Sequence, residues 1–471
     1  MVYTSFDDTI VAPATVPGTG AITIIRVSGP QALPISGKIV KCKSRSIESS
    51  DANSIIYGTA YDEAGSIVDE VLVSVFKAPH SYTGEDSVEI SCHASSYVAS
   101  EILRLLCDSG ARMASPGEFT RRAFINGKMD LAQAEAVADV ISSSSSASLK
   151  VAMNQLKGGF SAELNDIRAR LLEITSLLEL ELDFSEEDVE FADRSKLSGL
   201  VDEVIAHISS LTSTFRYGNA VRNGIPVAIV GAVNAGKSTL LNSLLGDDRA
   251  IVSDTPGTTR DTVEETLTLG GLLFRFIDTA GLRNAADDVE KMGISRSYKK
   301  LSEASVILAV IDSTSSSEEN EPLISDIISK VNLDEQKLMI LFNKADKTGA
   351  NTNVTTINEC VLPIENKIIN LTISAKTGLG LDELKKALVD SQKDLPLDSD
   401  QTIVSNFRHY EALRNASTAL ERVKSSLSLG LTPDLVAEDL RLALHHLATI
   451  TGEVTPDEVL GTIFNRFCIG K

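Results

Sequence analysis

Residues 231–238 have the sequence GAVNAGKS, which matches the pattern G-x-x-x-x-G-K-[ST]. The segment lies between Pro226–Val230, an apolar run that predicts a buried strand, and Ser238–Leu245, whose apolar spacing predicts a helix. Gly231 and Gly236 allow the backbone between them to turn tightly, so that its N–H groups and the helix N-terminus face one point. A strand, a glycine-rich loop and a helix in this order predict a phosphate-binding loop in an α/β fold.

The side chains of this loop predict specific contacts with a nucleotide. Lys237 would reach the β- and γ-phosphates, and the Ser238 hydroxyl would bind Mg²⁺. Because the pattern arises by chance in roughly one or two per cent of chains of this length, it needs independent support. The predicted nucleotide contacts of the loop are Asn234, Ala235, Gly236, Lys237, Ser238 and Thr239.

Three further segments follow in the order and spacing of a guanine-nucleotide site. DTAG at 278–281 would place a carboxylate near the Mg²⁺ shell and a glycine amide near the γ-phosphate. NKAD at 343–346 ends in an aspartate that can accept two N–H bonds from guanine, a match that adenine lacks. SAK at 374–376 predicts a lid over the base. The predicted contacts are Asp278, Thr279, Ala280, Gly281, Asn343, Lys344, Asp346, Ser374, Ala375 and Lys376.

The alternative is an ordinary α/β domain with accidental matches. It is disfavoured because all four segments have the expected order, and apolar, strand-like runs precede them, such as Leu338–Phe342 and Ile368–Ile373.

Composition limits the remaining classes of protein. The chain has 471 residues, 43% of them hydrophobic, which is enough for about three domains. A net charge of −21 argues against a broadly basic surface for nucleic acid, so any RNA contact is expected to be local or made through a partner. Five cysteines without C-x-x-C spacing indicate neither a disulfide framework nor a zinc site and fit a reducing cytoplasm. The acidic N-terminal segment and the lack of a roughly 20-residue apolar run predict neither a signal peptide nor a membrane span.

Hydrophobic periodicity divides the chain into four parts. Residues 1–125 are rich in short β-branched runs, with a helix predicted at Ser96–Asp108, and indicate an α+β domain. Residues 126–220 and 391–471 have helical spacing and flank the nucleotide-binding part at 221–390. We therefore predict a multidomain α/β protein in which a Ras-like P-loop domain is inserted into one helical domain, although two separate bundles also fit.

Three segments carry local predictions. Ser142–Ser146 lies between helical patterns and is interpreted as a polar helix face rather than as a flexible linker. Ser313–Asn320 is interpreted as a surface loop after the strand Val306–Asp312, and Val459–Phe467 as the last helix.

Several segments resemble the family of tRNA modification GTPases known as MnmE. PGEFTRRAF and the terminal FCIGK are far more specific to this family than the nucleotide motifs are. The sequence departs from the family pattern at Val233, where proline is usual, and at 92–95, where CHAS replaces a GHGG-like run; His93 has no recognisable catalytic partner. The resembling segments are DTIVAPAT, RVSG at 26–29, YTGEDSVEI at 82–90, PGEFTRRAFINGKMDLAQAEAVADVI at 116–141, NAGKST, DTPGTTRD, DTAGLR, NKAD and FCIGK.

The resemblance implies a fold and an activity. It implies an N-terminal folate-binding domain that forms a homodimer, and G domains that pair transiently. Members of the family hydrolyse GTP to GDP and phosphate and work in the cytoplasm with the FAD protein MnmG. They add a carboxymethylaminomethyl-type group to the wobble uridine of certain tRNAs, with a 5-formyl or methylene tetrahydrofolate as one-carbon donor. The tRNA would be bound mainly through the partner.

Leu282 changes the expected hydrolysis mechanism. In Ras-type GTPases a glutamine at this position, directly after D-x-x-G, orients the attacking water, whereas leucine can neither donate nor accept. The resemblance implies that Glu290 supplies the catalytic carboxylate. Without the resemblance, Glu290 is typical of a solvated acidic loop.

No arginine can be assigned within the chain to neutralise charge on the transferring phosphoryl group. The resemblance implies that K⁺ takes part of this role, bound by Asn234 and by a loop that closes when two G domains pair. The alternative interpretation is that Asn234 caps the phosphate loop. Thr259 would join Ser238 as an Mg²⁺ ligand when GTP is bound. The implied K⁺ ligands are Asn234, Ser253, Thr255 and Thr258, and the other contacts of that loop are Asp254, Pro256, Gly257 and Thr259.

The resemblance also implies a folate site at Arg26, Glu89, Lys128 and Lys471, since a carboxylate suits the aminopyrimidine edge and cations suit the glutamate tail. Without the resemblance these residues are ordinary surface charges. Cys468, in the apolar tail, is either a packing residue or a group with a redox or covalent role near the folate.

Two other functions remain open at the level of sequence. A ribosome-assembly GTPase is disfavoured by the single G domain and the acidic flanks. A folate-sensing scaffold, whose GTP site only switches partner binding, would show no GTP turnover.

Overall fold

The computed structural model divides the chain into two compact units. One comprises Met1–Ile141, Asn154–Ile208 and Glu411–Lys471, and the other comprises Ser142–Met153 and Ser209–Tyr410. The structure describes residues 7–18, 20–43, 45–183, 194–246, 265–277, 301, 304–348, 368–392, 402–465, 467 and 470.

The described residues form two sheets and a set of helices. The strands are β1 Ile10–Pro13, β2 Ile22–Ser28, β3 Val40–Cys42, β4 Ser54–Tyr61, β5 Ile67–Phe76, β6 Ser87–His93, β7 Arg112–Met113, β8 Ile225–Gly231, β9 Glu265–Leu269, β10 Leu272–Ile277, β11 Val306–Asp312, β12 Lys337–Asn343 and β13 Ile368–Thr372. The helices are α1 Ala32–Ile39, α2 Ser96–Asp108, α3 Glu118–Ile125, α4 Leu131–Ser142, α5 Ser146–Leu156, α6 Gly159–Asp183, α7 Arg194–Ser213, α8 Phe215–Asn223, α9 Lys237–Leu245, α10 Ser317–Lys330, α11 Ala345–Thr348, α12 Leu381–Asp390, α13 Phe407–Ser428, α14 Pro433–Thr451 and α15 Asp457–Phe464.

The N-terminal sheet has seven strands in the order β3-β4-β5-β6-β2-β1-β7. Neighbouring strands are antiparallel except β1 and β7. Alternate residues of its strands, such as Val27 and Ile90, are fully buried against α1 and α2, as the period of two requires. Helix α2 covers the predicted residues, and Ser95 accepts a hydrogen bond from Val98 N at its N-terminus. The opposite face of the sheet bears Arg26 and Glu89.

The helical segments of the same unit pack along continuous apolar stripes. In α6 the residues at helical spacing, Leu164, Ile167 and Leu171, are fully buried, and α6 packs along α14. Among the described residues, no helix is long and apolar enough to cross a membrane.

The interpretation of Ser142–Ser146 as a continuous polar helix face is wrong. Helix α4 ends at Ser142, and α5 begins at Ser146. The Ser145 hydroxyl accepts a 3.1 Å bond from Ser148 N, and Ser148 Oγ accepts a 3.2 Å bond from Ser145 N. These reciprocal bonds satisfy backbone donors that a new helix start would leave unpaired, so the serines cap a helix instead of lining one.

Two other boundaries differ from prediction. Within the predicted loop Ser313–Asn320, helix α10 already begins at Ser317, and Glu318 and Glu319 in its first turn favour the positive helix end. The last helix covers Asp457–Phe464 rather than ending at Phe467.

The second sheet has six strands in the order β13-β12-β11-β8-β10-β9, and only the β9–β10 pair is antiparallel. Strand β8 lies between β10 and β11. After β8 the chain first forms β9 and β10 on one side of it, and then β11, β12 and β13 on the other side. Apolar clusters cover both faces of this sheet. In such sheets, ligands bind outside the carboxyl ends of the strands at the point where the order reverses, and here that point is the end of β8.

Candidate nucleotide-binding site

The loop after β8 has the backbone that the two motif glycines predict. Gly231 has φ +147°, and a Cβ there would lie 2.1 Å from the carbonyl oxygen of Val310 on β11. Gly236 has φ +100°, and a Cβ there would lie 2.2 Å from Nδ2 of Asn343. Only glycine fits either position, because a side chain would displace the loop from the sheet or from Asn343.

Lys237 is the first residue of α9 and folds back over the loop. Its Nζ donates to the carbonyl oxygens of Gly231 at 2.8 Å and Ala232 at 2.7 Å. Burial lowers the pKa of this ammonium. An ammonium has three donors, so the two bonds recorded within the described residues leave a third for a phosphate oxygen.

Asn343 joins two of the predicted motifs. It ends β12 with only 3% of its surface exposed. Its Nδ2 donates to the carbonyl oxygen of Ala235 at 2.8 Å, and its Oδ1 accepts from Ala375 N at 2.9 Å. The Ser243 hydroxyl of α9 also donates to the carbonyl oxygen of Ala375 at 2.5 Å. One buried amide therefore joins the phosphate loop to the SAK segment, and one hydroxyl joins helix α9 to the same segment.

Asp312 is a residue that the motif analysis missed. It lies opposite Asn343 at the carboxyl end of β11. Its Oδ2 accepts a 2.5 Å bond from Nζ of Lys344, whose φ is +68°. Burial raises the pKa of Asp312, but bonds from Lys344 and Thr314 outweigh that effect and hold it below its ordinary value. An aspartate at a strand end beside the NKAD strand is the signal that would have identified it.

Asp346, the aspartate predicted to recognise the base, is hydrogen-bonded to the SAK segment. Asp346 Oδ1 accepts a 2.6 Å bond from the hydroxyl of Ser374, which is fully buried. That bond is the main cause of the lowered pKa of Asp346. The carboxylate is thus oriented in its charged form, which is the form that accepts N–H bonds.

The predicted metal ligands of the loop are exposed. Asn234 has φ +61°, a conformation that asparagine tolerates better than most residues, and its side chain faces solvent. Ser238 and Thr239, in the first turn of α9, are also exposed. Exposed amide and hydroxyl oxygens are suitable ligands for K⁺ and Mg²⁺.

Other predicted residues of this site lie outside the described part of the chain. They are Ser253, Asp254, Thr255, Pro256, Gly257, Thr258, Thr259, Asp278, Thr279, Ala280, Gly281 and Glu290.

In the N-terminal sheet, Arg26 and Glu89 are direct cross-strand partners on β2 and β6. Both Nε and an Nη of Arg26 lie 2.9 Å from Glu89 Oε1. The guanidinium carbon also lies 5.3 Å from the ring centroid of Tyr82 and 5.6 Å from that of Phe119. This arrangement fixes a planar cation and a half-buried carboxylate beside two aromatic rings.

Lys128 makes a different contact, donating from Nζ to the carbonyl oxygen of Pro79 at 2.9 Å. Lys471 and Cys468 lie outside the described residues.

A buried charge network, also missed from the sequence, underlies the PGEFTRRAF segment. Arg122 is fully buried and contacts three carboxylates, Asp8 at 2.6 Å, Glu85 at 3.1 Å and Glu118 at 3.1 Å. Arg112 adds a 2.7 Å bond to Glu118. A buried arginine with several partners anchors α3 to the strands, because removing either sign leaves an uncompensated charge.

His93 has a partner that the sequence did not reveal. Its Nδ1 lies 2.8 Å from Asp69 Oδ1, and its backbone N donates to Asp69 Oδ2. The neighbouring Cys92 is buried, which together with Asp69 raises the pKa of its thiol to about 11 and keeps it protonated.

A phosphate loop at the switch point of a doubly wound sheet, with a lysine folded over it and an asparagine joining it to the base-binding segments, defines a P-loop GTPase. Comparison with known proteins narrows this class. The family described as "GTP-binding protein TrmE N-terminus" matches residues 9–128, and the family described as "MnmE helical domain" matches residues 131–468. The chain belongs to the MnmE family of tRNA modification GTPases.

Curated relatives support this assignment over the full length. The tRNA modification GTPase MnmE of Bacteroides fragilis strain YCH46 is 48% identical over 98% of this chain and 99% of that protein. The Flavobacterium johnsoniae protein of the same name is 47% identical over 98% and 99%. The solved G domain of the T. maritima FeoB iron transporter is 26% identical over 36% of this chain and 99% of that chain, with a TM-score of 0.27, and carries no part of the assignment.

The predicted family, fold class and enzyme class are confirmed by these matches. The protein is a GTP hydrolase that acts in tRNA modification.

Proposed function

We propose that this GTPase is stimulated by K⁺ and works with an MnmG-like FAD protein to add a carboxymethylaminomethyl-type group to the wobble uridine of certain tRNAs. A tetrahydrofolate derivative, in its 5-formyl or methylene form, is the one-carbon donor. The observation that carries the proposal is the bridge from Asn343 to Ala235 and Ala375, which assembles a guanine-nucleotide site in a chain of this family.

The described residues support distinct roles in GTP binding. Lys237 has a donor left for a phosphate oxygen, and the exposed Ser238 hydroxyl would hold Mg²⁺. Asp346, oriented by Ser374, would accept the two N–H groups of guanine. Lys344, fixed by Asp312, would flank the base. Mg²⁺ supplies a charge that stabilises the transferring phosphoryl group.

Asn234 would bind K⁺ with Ser253, Thr255 and Thr258, and Glu290 would orient the attacking water. Support for Asn234 comes from its position in the phosphate loop and its exposed amide. K⁺ would supply positive charge between the β- and γ-phosphates, a need that an arginine meets in other GTPases.

Arg26, Glu89, Lys128 and Lys471 would bind the folate. The pairing of Arg26 with Glu89 beside Tyr82 suits a flat heterocycle, since a carboxylate accepts from its amino group and an aromatic ring stacks on it. Folate supplies the one-carbon unit, while these residues bind and orient it. Cys468 would lie near this site and have a redox or covalent role.

The N-terminal sheet supports a homodimer. On the face turned away from α1 and α2, apolar side chains remain exposed, among them Ile55 at 71%, Ile67 at 67% and the cross-strand pair Tyr57 and Leu72. An exposed apolar patch of this kind marks an association surface. The net charge of −21 supports a tRNA contact made mainly through the partner protein.

Two measurements test the proposal. Wobble nucleosides in tRNA from a deletion strain are expected to lack the group, and the wild-type gene but not Lys237→Ala is expected to restore it. Unchanged nucleosides in the deletion strain would defeat the proposed tRNA role. Fluorescence titration with a 5-formyl tetrahydrofolate tests the folate role independently.

A further inference from the structure

Helix α5 belongs by sequence to the helical flank, yet its N-terminal part lies in the unit that contains the nucleotide-binding sheet. The boundaries of that unit fall at Ser142 and Met153, whereas the last residues of α5 belong to the other unit. Helix α5, which has 11 residues, therefore has residues in both units.

The N-terminus of α5 meets the turn of the β9–β10 hairpin. Ala147 N donates a 3.4 Å bond to the carbonyl oxygen of Gly271, and Ala147 packs on the apolar core of the nucleotide-binding sheet. A Cβ on Gly271 would lie 2.5 Å from Ser146 Oγ, so a side chain there would displace that hydroxyl. The hairpin thus supplies an acceptor to a helix-start N–H that has no partner within its own helix.

The other end of α5 is fixed to α4. The buried side chain of Gln155 donates from Nε2 to the carbonyl oxygen of Ala132 at 2.7 Å, and Gln133 Nε2 donates to the carbonyl oxygen of Leu156 at 3.1 Å. Displacement of the α5 N-terminus is therefore passed to α4 by two side-chain bonds and by the continuous helix.

The hairpin is attached directly to the segments that are predicted to sense the nucleotide. Strand β9 begins six residues after Thr259, and β10 ends at Ile277, immediately before Asp278. Five paired positions make the hairpin a ribbon roughly 16 Å long.

We propose that α5 is the relay through which the β9–β10 hairpin passes the nucleotide state to the helical part of the chain. The relay rests on the proposed binding of GTP. A change in either predicted sensing segment moves the hairpin turn, which makes or breaks the contact of Gly271 with Ser146 and Ala147 and thereby shifts α5.

Amide hydrogen exchange of the full-length protein, with GDP and with a non-hydrolysable GTP analogue, tests the relay. We expect exchange in residues 142–153 to differ about fivefold or more between the two nucleotides, the range of a typical coupling free energy. We expect Gly271→Ala to abolish that difference, because its Cβ meets Ser146 Oγ, while GTP affinity and basal hydrolysis stay within about twofold of wild type.

Matched variants separate coupling from backbone strain. Gly270→Ala introduces the same left-handed strain at φ +56°, but its Cβ meets Val389 of α12 at 3.0 Å, so it is expected to keep the difference. Adding Ser146→Ala to Gly271→Ala removes the oxygen that clashes with the new Cβ. This double variant is expected to regain the difference in exchange between the two nucleotides. Ser146→Leu disrupts the contact from α5 and leaves the hairpin sequence intact, which covers the case in which Gly271→Ala does not fold.

The outcomes are distinguishable. If wild type binds both nucleotides but α5 exchanges equally in each, or if Gly271→Ala and Ser146→Leu both keep the difference, the relay is wrong. If the protein binds neither GTP nor GDP, the proposed function itself is wrong.

Discussion

The side-chain amide of Asn343 donates a 2.8 Å hydrogen bond to the carbonyl oxygen of Ala235, the residue before the second glycine of the phosphate loop. Because the same amide accepts from Ala375 N, the predicted phosphate loop and the predicted base-binding segment depend on one buried side chain. The proposed recognition of guanine and the proposed binding of phosphate therefore share one hydrogen-bonding side chain.

Replacing Asn343 with Ala should weaken GDP binding by roughly ten- to a hundredfold, or about 1.4–2.8 kcal/mol, because the carbonyl oxygen of Ala235 and the backbone N of Ala375 both lose a buried hydrogen-bond partner. Asn343→Asp should also weaken GDP binding, because a carboxylate cannot donate a hydrogen bond to the carbonyl oxygen of Ala235. Fluorescence titration with labelled GDP measures both. Asn370→Ala, at an exposed position of β13, is the matched control. Wild-type affinity in Asn343→Ala would contradict the role of the bridge.

Asp346→Asn should lower guanine-nucleotide affinity by roughly a hundredfold or more, because the site loses the acceptor for two guanine N–H groups. Xanthine carries an oxygen where guanine carries its amino group, so the new amide should favour xanthine nucleotides. Competition titrations with GDP and xanthosine diphosphate compare the two. A variant that still prefers GDP would show that Asp346 does not recognise the base.

The Arg122 network predicts acid sensitivity. Burial raises the pKa values of Glu118 and Asp8, but bonds from Arg112 and Arg122 outweigh it and lower both below their ordinary values of 4.5 and 3.8. Groups with a depressed folded pKa stabilise the protein above their unfolded pKa, and that contribution is lost as pH falls through the folded value. The melting temperature should therefore fall between about pH 5 and about pH 3.

Glu118→Gln should lower the melting temperature at neutral pH and flatten this acid dependence, whereas Glu63→Gln, at an exposed pair with Arg104, should change neither. An acid dependence as steep in Glu118→Gln as in wild type would exclude Glu118 as its source.

Glu89→Gln and Arg26→Lys test the folate site separately. Glu89→Gln keeps the shape but removes the charge that accepts from an aminopyrimidine, and should weaken binding of 5-formyl tetrahydrofolate by roughly tenfold or more. Arg26→Lys keeps the charge but loses the planar contact with Glu89 and Tyr82, and should also weaken it. Glu70→Gln, on the neighbouring strand, is the control. Unchanged affinity in both variants would show that Arg26 and Glu89 do not bind the folate.

Local pattern predicted the regular elements well, because burial imposes a period on sequence. Helix α2 covers the predicted Ser96–Asp108, and the phosphate loop follows its strand as expected. The serines before α5 were misread because polar residues on a helix face and residues that cap a helix have the same composition.

Long-range partners could not be predicted in this way. Lys344 belongs to a recognisable motif, but its partner Asp312 lies 32 residues away and meets it only because β11 and β12 are adjacent. Likewise, the sequence alone indicates that Arg122 is an ordinary surface charge. Its partner Asp8 lies 114 residues away and is adjacent only in the folded chain.

The most direct test of the central claim is GTP turnover by the purified full-length protein in K⁺ and in Na⁺. We predict hydrolysis in K⁺ that is at least about tenfold faster than in Na⁺, because the proposed K⁺ would supply the charge that an arginine supplies in other GTPases. Asn234→Ala should remove most of this difference. Equal rates in K⁺ and Na⁺, or the absence of hydrolysis in both salts, would contradict the account.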